Sequence, residues 1–321
     1  MAGNFWKDKI VLITGGYGFL GQQVVHMLQE RGLTEDRLVL FHKADFDLRK
    51  GEDVKRLLAL NKNINIVIHL AGDIGGIGYN RKFPGSVFYN NIMMNTLVME
   101  YSRLSQVKKF VGVGTVCAYP KFAHVPFREE KLWDGYPEET NASYGLAKKM
   151  MLVQGQAYKE QFGFNAVHLL MINLYGPGDN FDLENSHVIA GLIRKFVEAK
   201  REGRQEVVVW GTGNASREFL YVEDAAEAIM LATEEYNKPE PVNIGVGFEI
   251  KIKDLVDLIV KLTGFKGKIV WDTTKPDGQP RRMLDTTRAQ KEFGFEAKTP
   301  FEEGLRKTIQ WYMANKEKAS A

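Results

Sequence analysis

Ile10-Val11-Leu12-Ile13-Thr14-Gly15-Gly16-Tyr17-Gly18-Phe19-Leu20-Gly21 is the stretch that decides the fold. Four apolar residues read as a buried strand and run directly into a glycine-rich turn. Val24, Val25 and Leu28 then follow in a helical pattern. Strand, glycine turn and helix, in that order, turn a glycine motif into a dinucleotide site. Gly15 permits the tight turn, Gly18 lets backbone approach a pyrophosphate, and Gly21 lets the helix pack close to the sheet. The phosphates would sit at the helix N-terminus, where free N–H groups favour an anion.

Downstream, apolar strand-like runs continue to alternate with helical patterns. Leu38-Val39-Leu40-Phe41 is a second strand, and its end selects the cofactor. An acidic residue there suits the ribose hydroxyls of NAD, whereas a cation suits a 2′-phosphate. The chain reads Phe41-His42-Lys43, with Asp45 and Asp47 only further on, so Lys43, joined by His42, favours NADP(H). A helix near residues 54–60 leads to a strand at 65–70, which ends in Ala71-Gly72-Asp73, small enough for close backbone approach. His69, inside that strand, reads as a satisfied core histidine. Gly75-Gly76-Ile77-Gly78 reads as a flexible loop, and residues 86–104 as a long helix for the core or a dimer interface.

The next strand, from Lys109 to Cys117, brings the first chemistry. Residues two apart in an extended chain face the same way, so Thr115 and Cys117 are expected to share a cleft at the strand's carboxyl end. Tyr144-Gly145-Leu146-Ala147-Lys148 follows on a helix, where positions i and i+4 share a face. A phenol titrates near pH ~10, and a neighbouring ammonium is expected to pull Tyr144 lower, making it a proton donor to a carbonyl receiving hydride. Thr115 supplies a second hydroxyl. A strand at 166–172 closes in Asn173-Leu174-Tyr175-Gly176-Pro177-Gly178-Asp179-Asn180, where the chain is expected to leave the cofactor domain. Beyond it come a helix from about 185 to 200 that opens near His187, a strand at 207–211, and Val242-Asn243-Ile244-Gly245 as a last strand of the main sheet.

Composition narrows the class. The chain has 321 residues, 44% hydrophobic and 26% charged, with 43 basic against 40 acidic side chains and a net charge of +3. That balance argues against a nucleic-acid or membrane-surface partner. The N-terminal stretch, Met-Ala-Gly-Asn-Phe-Trp-Lys-Asp-Lys, lacks the apolar core of a signal peptide, and no run reaches the ~18 apolar residues of a membrane span. Cys117 is the only cysteine, which excludes an intramolecular disulfide and any multi-cysteine zinc site, so no metal is expected and a reducing cytoplasm fits.

Taken together, Thr-Gly-Gly-Tyr-Gly-Phe-Leu-Gly, the Thr115 strand end, Tyr144-x-x-x-Lys148 and Arg217-Glu-Phe-Leu-Tyr-Val-Glu-Asp resemble the extended short-chain dehydrogenase/reductases that act on nucleotide sugars. Cys117-Ala-Tyr-Pro-Lys, Asn185-Ser-His-Val, Val208-Val-Trp-Gly and Lys275-Pro-Asp-Gly narrow the resemblance to the GDP-L-fucose synthase family, the GDP-4-keto-6-deoxy-mannose 3,5-epimerase/4-reductases. The resemblance covers essentially the whole chain. It implies an α/β fold, a Rossmann-like doubly wound parallel sheet with a smaller C-terminal α/β substrate domain. The expected division is 1–178 with 212–248 for NADP, and 179–211 with 249–321 for the GDP-sugar.

The same resemblance implies the roles. Cys117 and His187 match the epimerisation acid/base pair, while Tyr144 and Lys148 match the reductase pair, with Lys148 on the nicotinamide ribose. Cofactor contacts are expected from Gly15, Gly16, Tyr17, Gly18, Phe19, Leu20 and Gly21, from His42, Lys43, Asp47 and Leu48, and from Leu70, Ala71 and Gly72. Val113, Gly114, Met171, Asn173, Leu174 and His187 complete that set. Val188, Lys195, Trp210, Arg217, Asp277 and Arg282 are expected to bind the GDP-sugar. A homodimer is the expected assembly. Two departures stand out: Thr115 replaces the family's usual serine, narrowing the pocket by a methyl, and Tyr17 replaces a second basic residue of the glycine loop. The alternatives are an epimerase or reductase acting on another nucleotide sugar, GDP-heptose or dTDP-sugar, and a catalytically silent dinucleotide-sensing protein.

Overall fold

The structure is a computed structural model and describes residues 5–183, 185–275 and 277–315. Residues 1–4 of the signal-peptide reading, and Pro276 of the Lys275-Pro-Asp-Gly motif, lie outside the described residues. The first half alternates β1 (Val11–Thr14), α1 (Phe19–Glu30), β2 (Leu38–Val39), α2 (Gly51–Leu60), β3 (Ile66–His69), α3 (Ile77–Lys82), α4 (Pro84–Leu104), β4 (Lys109–Thr115), α5 (Ala142–Phe162) and β5 (Ala166–Met171). The second half runs β6 (Asn173–Tyr175), α6 (Val188–Arg201), β7 (Glu206–Trp210), β8 (Ser216–Arg217), β9 (Phe219–Tyr221), α7 (Val222–Glu235) and β10 (Val242–Ile244). It ends with β11 (Ile250–Lys251), α8 (Ile252–Thr263), β12 (Lys268–Asp272), α9 (Thr287–Phe293) and α10 (Phe301–Ala314).

Six strands form one parallel sheet in the order β2-β1-β3-β4-β5-β10, so the α/β expectation holds. The strands read as continuous apolar runs because both faces are covered. Val11 and Ile13 enter one core with Val24 and Leu28 of α1 and Ala225 and Ile229 of α7. Leu12 enters the other, with Leu57 of α2, Val98 of α4 and Met151 of α5. Each of these valine, leucine, isoleucine and methionine side chains, fully buried, contributes about 1.5–3 kcal/mol. The chain leaves β1 for β2 on one side and returns to β3 on the other, which opens a crevice at the carboxyl ends of these strands.

A third core belongs to a smaller lobe. Here α6, α8 and α10 pack around Ile189, Phe196, Val256, Ile259 and Leu305, beside the parallel pair β7 and β12. Phe181 stacks on Tyr312 at 4.6 Å. Tyr175 already belongs to this core, so the chain leaves the main sheet within the Asn173–Asn180 segment. Among the described residues, no helix is long and apolar enough to cross a membrane.

The structure corrects several local expectations. The 75–78 loop is shorter than expected, because α3 starts at Ile77. The β2 ladder stops at Val39, since at this sheet edge only β1 pairs with it. And β4 stops at Thr115, after which Val116–Ala118 form a 3-10 turn.

Candidate active site

The crevice above β1 and β3 opens into a single cavity of about 1000 Å³ that extends to the smaller lobe. One end is the glycine loop. Gly15 sits at φ +73°, a left-handed conformation that a side chain would strain, and a Cβ at position 21 would collide with the Gly15 carbonyl. This close packing leaves the α1 N-terminus facing the cavity through Gly18, Phe19 and Leu20. Gly16 is the one expected contact that does not line the cavity, and a Cβ there would meet Leu40 and Ile13. Tyr17 lies flat on His42, with ring centroids 4.2 Å apart, and both line the rim beside Lys43.

Asp47 is not free to meet a ligand with its whole carboxylate. Arg49 grips it through Nε at 2.8 Å and Nη2 at 2.7 Å, holding its pKa down at about 2. Leu48, Leu70, Ala71, Gly72, Val113, Gly114, Met171, Asn173 and Leu174 all line the wall, as expected. The glycine cradle, the open helix N-terminus and the cation beyond β2 together fit a nicotinamide dinucleotide phosphate.

At the middle of the cavity the catalytic candidates converge. Tyr144 and Lys148 lie on one face of α5, both almost fully buried, and both line the cavity. Cys117 reaches the cleft by a route the extended-chain argument did not foresee. The Thr115 Oγ1 accepts the Cys117 N–H at 3.1 Å, which caps the 3-10 turn and brings the two side chains to the same cavity wall. Gly145 makes this possible, because any Cβ there would strike the Cys117 carbonyl.

The electrostatics also differ from expectation. Burial, reinforced by Cys117, pushes the Tyr144 phenol well above its usual range, while burial pulls Lys148 down to about 8. The Lys148 Nζ faces the Ala71 carbonyl at 3.4 Å, and in this state desolvation outweighs any pull of the ammonium on the phenol. His187 occupies the N-cap position of α6 without a side-chain hydrogen bond to the helix. Its ring is accessible from the cavity yet surrounded by protein, and this desolvation lowers its pKa, favouring the neutral imidazole.

The far end is cationic. Arg217 donates to the Asp277 carbonyl at 3.0 Å, and burial, reinforced by neighbouring Arg282, lowers its pKa to about 10. The Asp277 carboxylate itself is engaged by the N–H and hydroxyl of Thr212 at 2.7 and 2.6 Å. Lys195 bonds the Val208 carbonyl at 3.0 Å and lies over the ring of exposed Trp210, which Lys275 flanks as well. Val188 lines this end too. Arg282 reaches toward the catalytic candidates: its Nη1 lies 3.6 Å from the Cys117 sulfur.

Sequence reasoning missed a polar wall. Asn80 donates to Asn141 at 3.1 Å, and Asn141 to Glu138 at 2.9 Å, all three lining the cavity just ahead of the Tyr144 helix. Asp179, buried in the wall with Oδ2 unpartnered, is pushed up to about 7 by desolvation. Glu138 and Asn141 stand six and three residues before Tyr144, and Asp179 inside the Gly/Pro cluster. Only that proximity to recognised motifs could have marked them. His69 is the expected core residue, bonded to Thr14 at 2.8 Å and Asn95 at 3.0 Å.

A dinucleotide cradle joined to a proton-transfer centre and a cationic end defines a nucleotide-dependent enzyme of the Rossmann class. The chain belongs to the NAD dependent epimerase/dehydratase family, whose sequence profile matches residues 11–245. It is 40% identical over 309 residues to GDP-L-fucose synthase 1 of Arabidopsis thaliana, covering 96% of this chain and 94% of that one. To the GDP-L-fucose synthase of Escherichia coli K12 it is 35% identical over 317 residues, 96% and 98% of the two chains. Among solved structures, the GDP-L-fucose synthetase of Naegleria fowleri bound to NADP matches with a TM-score of 0.87 at 31% identity, covering 98% and 97%. A GDP-6-OMe-4-keto-L-xylo-heptose reductase of C. jejuni matches with a TM-score of 0.90 at 27% identity, covering 96% and 99%.

Proposed function

We propose that this chain is an NADP(H)-dependent epimerase/reductase that converts GDP-4-keto-6-deoxy-mannose to GDP-L-fucose. The observation that carries this reading is the convergence of Thr115, Cys117, Tyr144, Lys148 and His187 on one cavity between the glycine cradle and the Arg217 end. The glycine loop, Lys43 and Lys148 hold NADPH, which supplies the hydride for C4. Arg217 and Lys195 take the diphosphate, where fixed cations suit phosphate oxygens. Residues 1–178 with 212–248 serve the cofactor, and 179–211 with 249–321 the GDP-sugar.

In the first stage, the 4-keto group acidifies the protons at C3 and C5. One of Cys117 and His187 removes a proton, and the other returns one on the opposite face. The lowered pKa of His187 leaves its imidazole neutral near pH 7 and able to accept a proton. In the second stage, Tyr144 gives its phenolic proton to the C4 oxygen as the hydride arrives, and Thr115 holds that oxygen with its hydroxyl. The raised pKa of Tyr144 keeps it protonated and able to donate.

The enzyme works in the cytoplasm as a homodimer. Phe88 and Leu104 of α4 and Met150 and Val153 of α5 are exposed apolar side chains on two helices that pack together, a surface suited to a second copy.

The test is a reaction in D₂O with NADPH and GDP-4-keto-6-deoxy-mannose, the product read by NMR. A fucose-configured product with deuterium at C3 and C5 and one NADPH consumed is expected. In Cys117→Ser and His187→Asn, deuterium incorporation should fall by about 10²–10⁴-fold. NADPH consumption without deuterium in the native enzyme would refute the epimerisation roles.

A further inference from the structure

Glu218 has no part in the chemistry above, yet it is fully buried beside the cationic end of the cavity. It sits between β8 and β9, and its carboxylate is spent entirely on backbone. Oε1 accepts the N–H groups of Val246 at 2.5 Å and Gly247 at 2.8 Å, and Oε2 accepts that of Leu284 at 2.7 Å. Its own N–H donates to the Arg282 carbonyl at 3.1 Å, and its carbonyl accepts from Asn173 Nδ2 at 3.1 Å. Position 245 has no room for a side chain, since a Cβ there would strike Oε1.

These bonds join three segments that reach the cavity separately. Glu218 follows Arg217, whose guanidinium is bonded to the Asp277 carbonyl. Leu284 lies two residues past Arg282, whose guanidinium faces the Cys117 sulfur. Asn173 lines the cofactor end. Burial pushes the carboxyl up to about 7, while the three N–H donors on its oxygens pull the other way, toward the carboxylate.

We propose that Glu218 is a positioning residue: its carboxylate clamps the 245–247 turn and Leu284 so that Arg217 is held for the diphosphate and Arg282 at the Cys117 sulfur. The inference rests on the reading of the reaction given above. A merely structural carboxylate would, when altered, loosen the whole protein. A clamp would loosen the sugar-nucleotide end and spare the dinucleotide end.

Glu218→Gln keeps the shape but sets an amide nitrogen against a backbone donor whichever way it turns. Gly245→Ala perturbs the clamp from outside while keeping the charge. For both variants, GDP and NADPH dissociation constants would be measured by calorimetry, with deuterium incorporation at C3 and C5. The expected result is GDP affinity and deuterium incorporation each reduced at least ~10-fold, the loss of a charge-assisted bond, with the NADPH constant within ~2-fold of native. Unchanged GDP affinity and incorporation would overturn the clamp, as would NADPH affinity falling in step with GDP affinity. Native protein that binds GDP but incorporates no deuterium would overturn the reading of the reaction, and the GDP ratios would still decide the clamp.

Discussion

Gly145→Ala sets two opposed effects against each other on one residue. In an ordinary helix interior this substitution stabilises, by about 1 kcal/mol, because alanine has less backbone entropy to lose. Here the new methyl would meet the carbonyl oxygen and carbon of Cys117 and the nitrogen of Ala118, all backbone atoms that cannot rotate aside. Overpacking of this kind costs roughly 1–3 kcal/mol, and a rigid obstacle puts it at the upper end. The net expectation is a loss of about 2 kcal/mol. With about 2.1 cal/mol/K of unfolding entropy per residue over 321 residues, that is a fall in Tm of roughly 3 °C. The functional effect should be larger, because relief requires α5 to move away from the turn that carries Cys117. A misplacement of about 1 Å between reacting groups costs about 10²-fold in rate. Calorimetry gives the first number, and single-turnover NADPH oxidation with the 4-keto sugar gives the second. A variant with raised Tm and native turnover would refute the argument that the glycine exists to bring Tyr144 and Cys117 together.

Lysine 148 and the cofactor rim give two further expectations. Because burial lowers the Lys148 pKa to about 8, its ammonium is present below that value and lost above it, so the hydride-transfer step should slow as pH rises through about 8. Lys148→Met should remove that limb from the single-turnover pH profile, and a limb that persists unchanged would assign it elsewhere. Lys43→Ala should weaken NADPH binding by about 10–100-fold, the loss of a charge-assisted hydrogen bond, and leave NADH binding unchanged in calorimetric titration. Equal losses for both cofactors would place the 2′-phosphate away from Lys43.

The sequence by itself determined the strands, the glycine turn and the helix that follows, because these rest on local patterns: apolar runs, residue spacing and the conformational freedom of glycine. It also brought Tyr144 and Lys148 onto one face, since helical periodicity fixes neighbours four residues apart. Resemblance of motifs supplied the list of site residues, and nearly all of them line one cavity. What the chain could not show is decided by packing between distant segments. Cys117 faces the cleft from a 3-10 turn and not from a strand, because Thr115 caps that turn and Gly145 lets α5 close on it. A side chain at Gly16 would press on Leu40, a restriction set by packing between segments and not by the motif. The Tyr144 phenol is shifted upward and not downward, since desolvation depends on the atoms that surround a group and not on its neighbour in sequence. Glu218 became visible only when three backbone N–H groups, from two segments remote along the chain, were found on one carboxylate. Local structure is written in short-range sterics, whereas burial and charge at the site are sums over the whole fold.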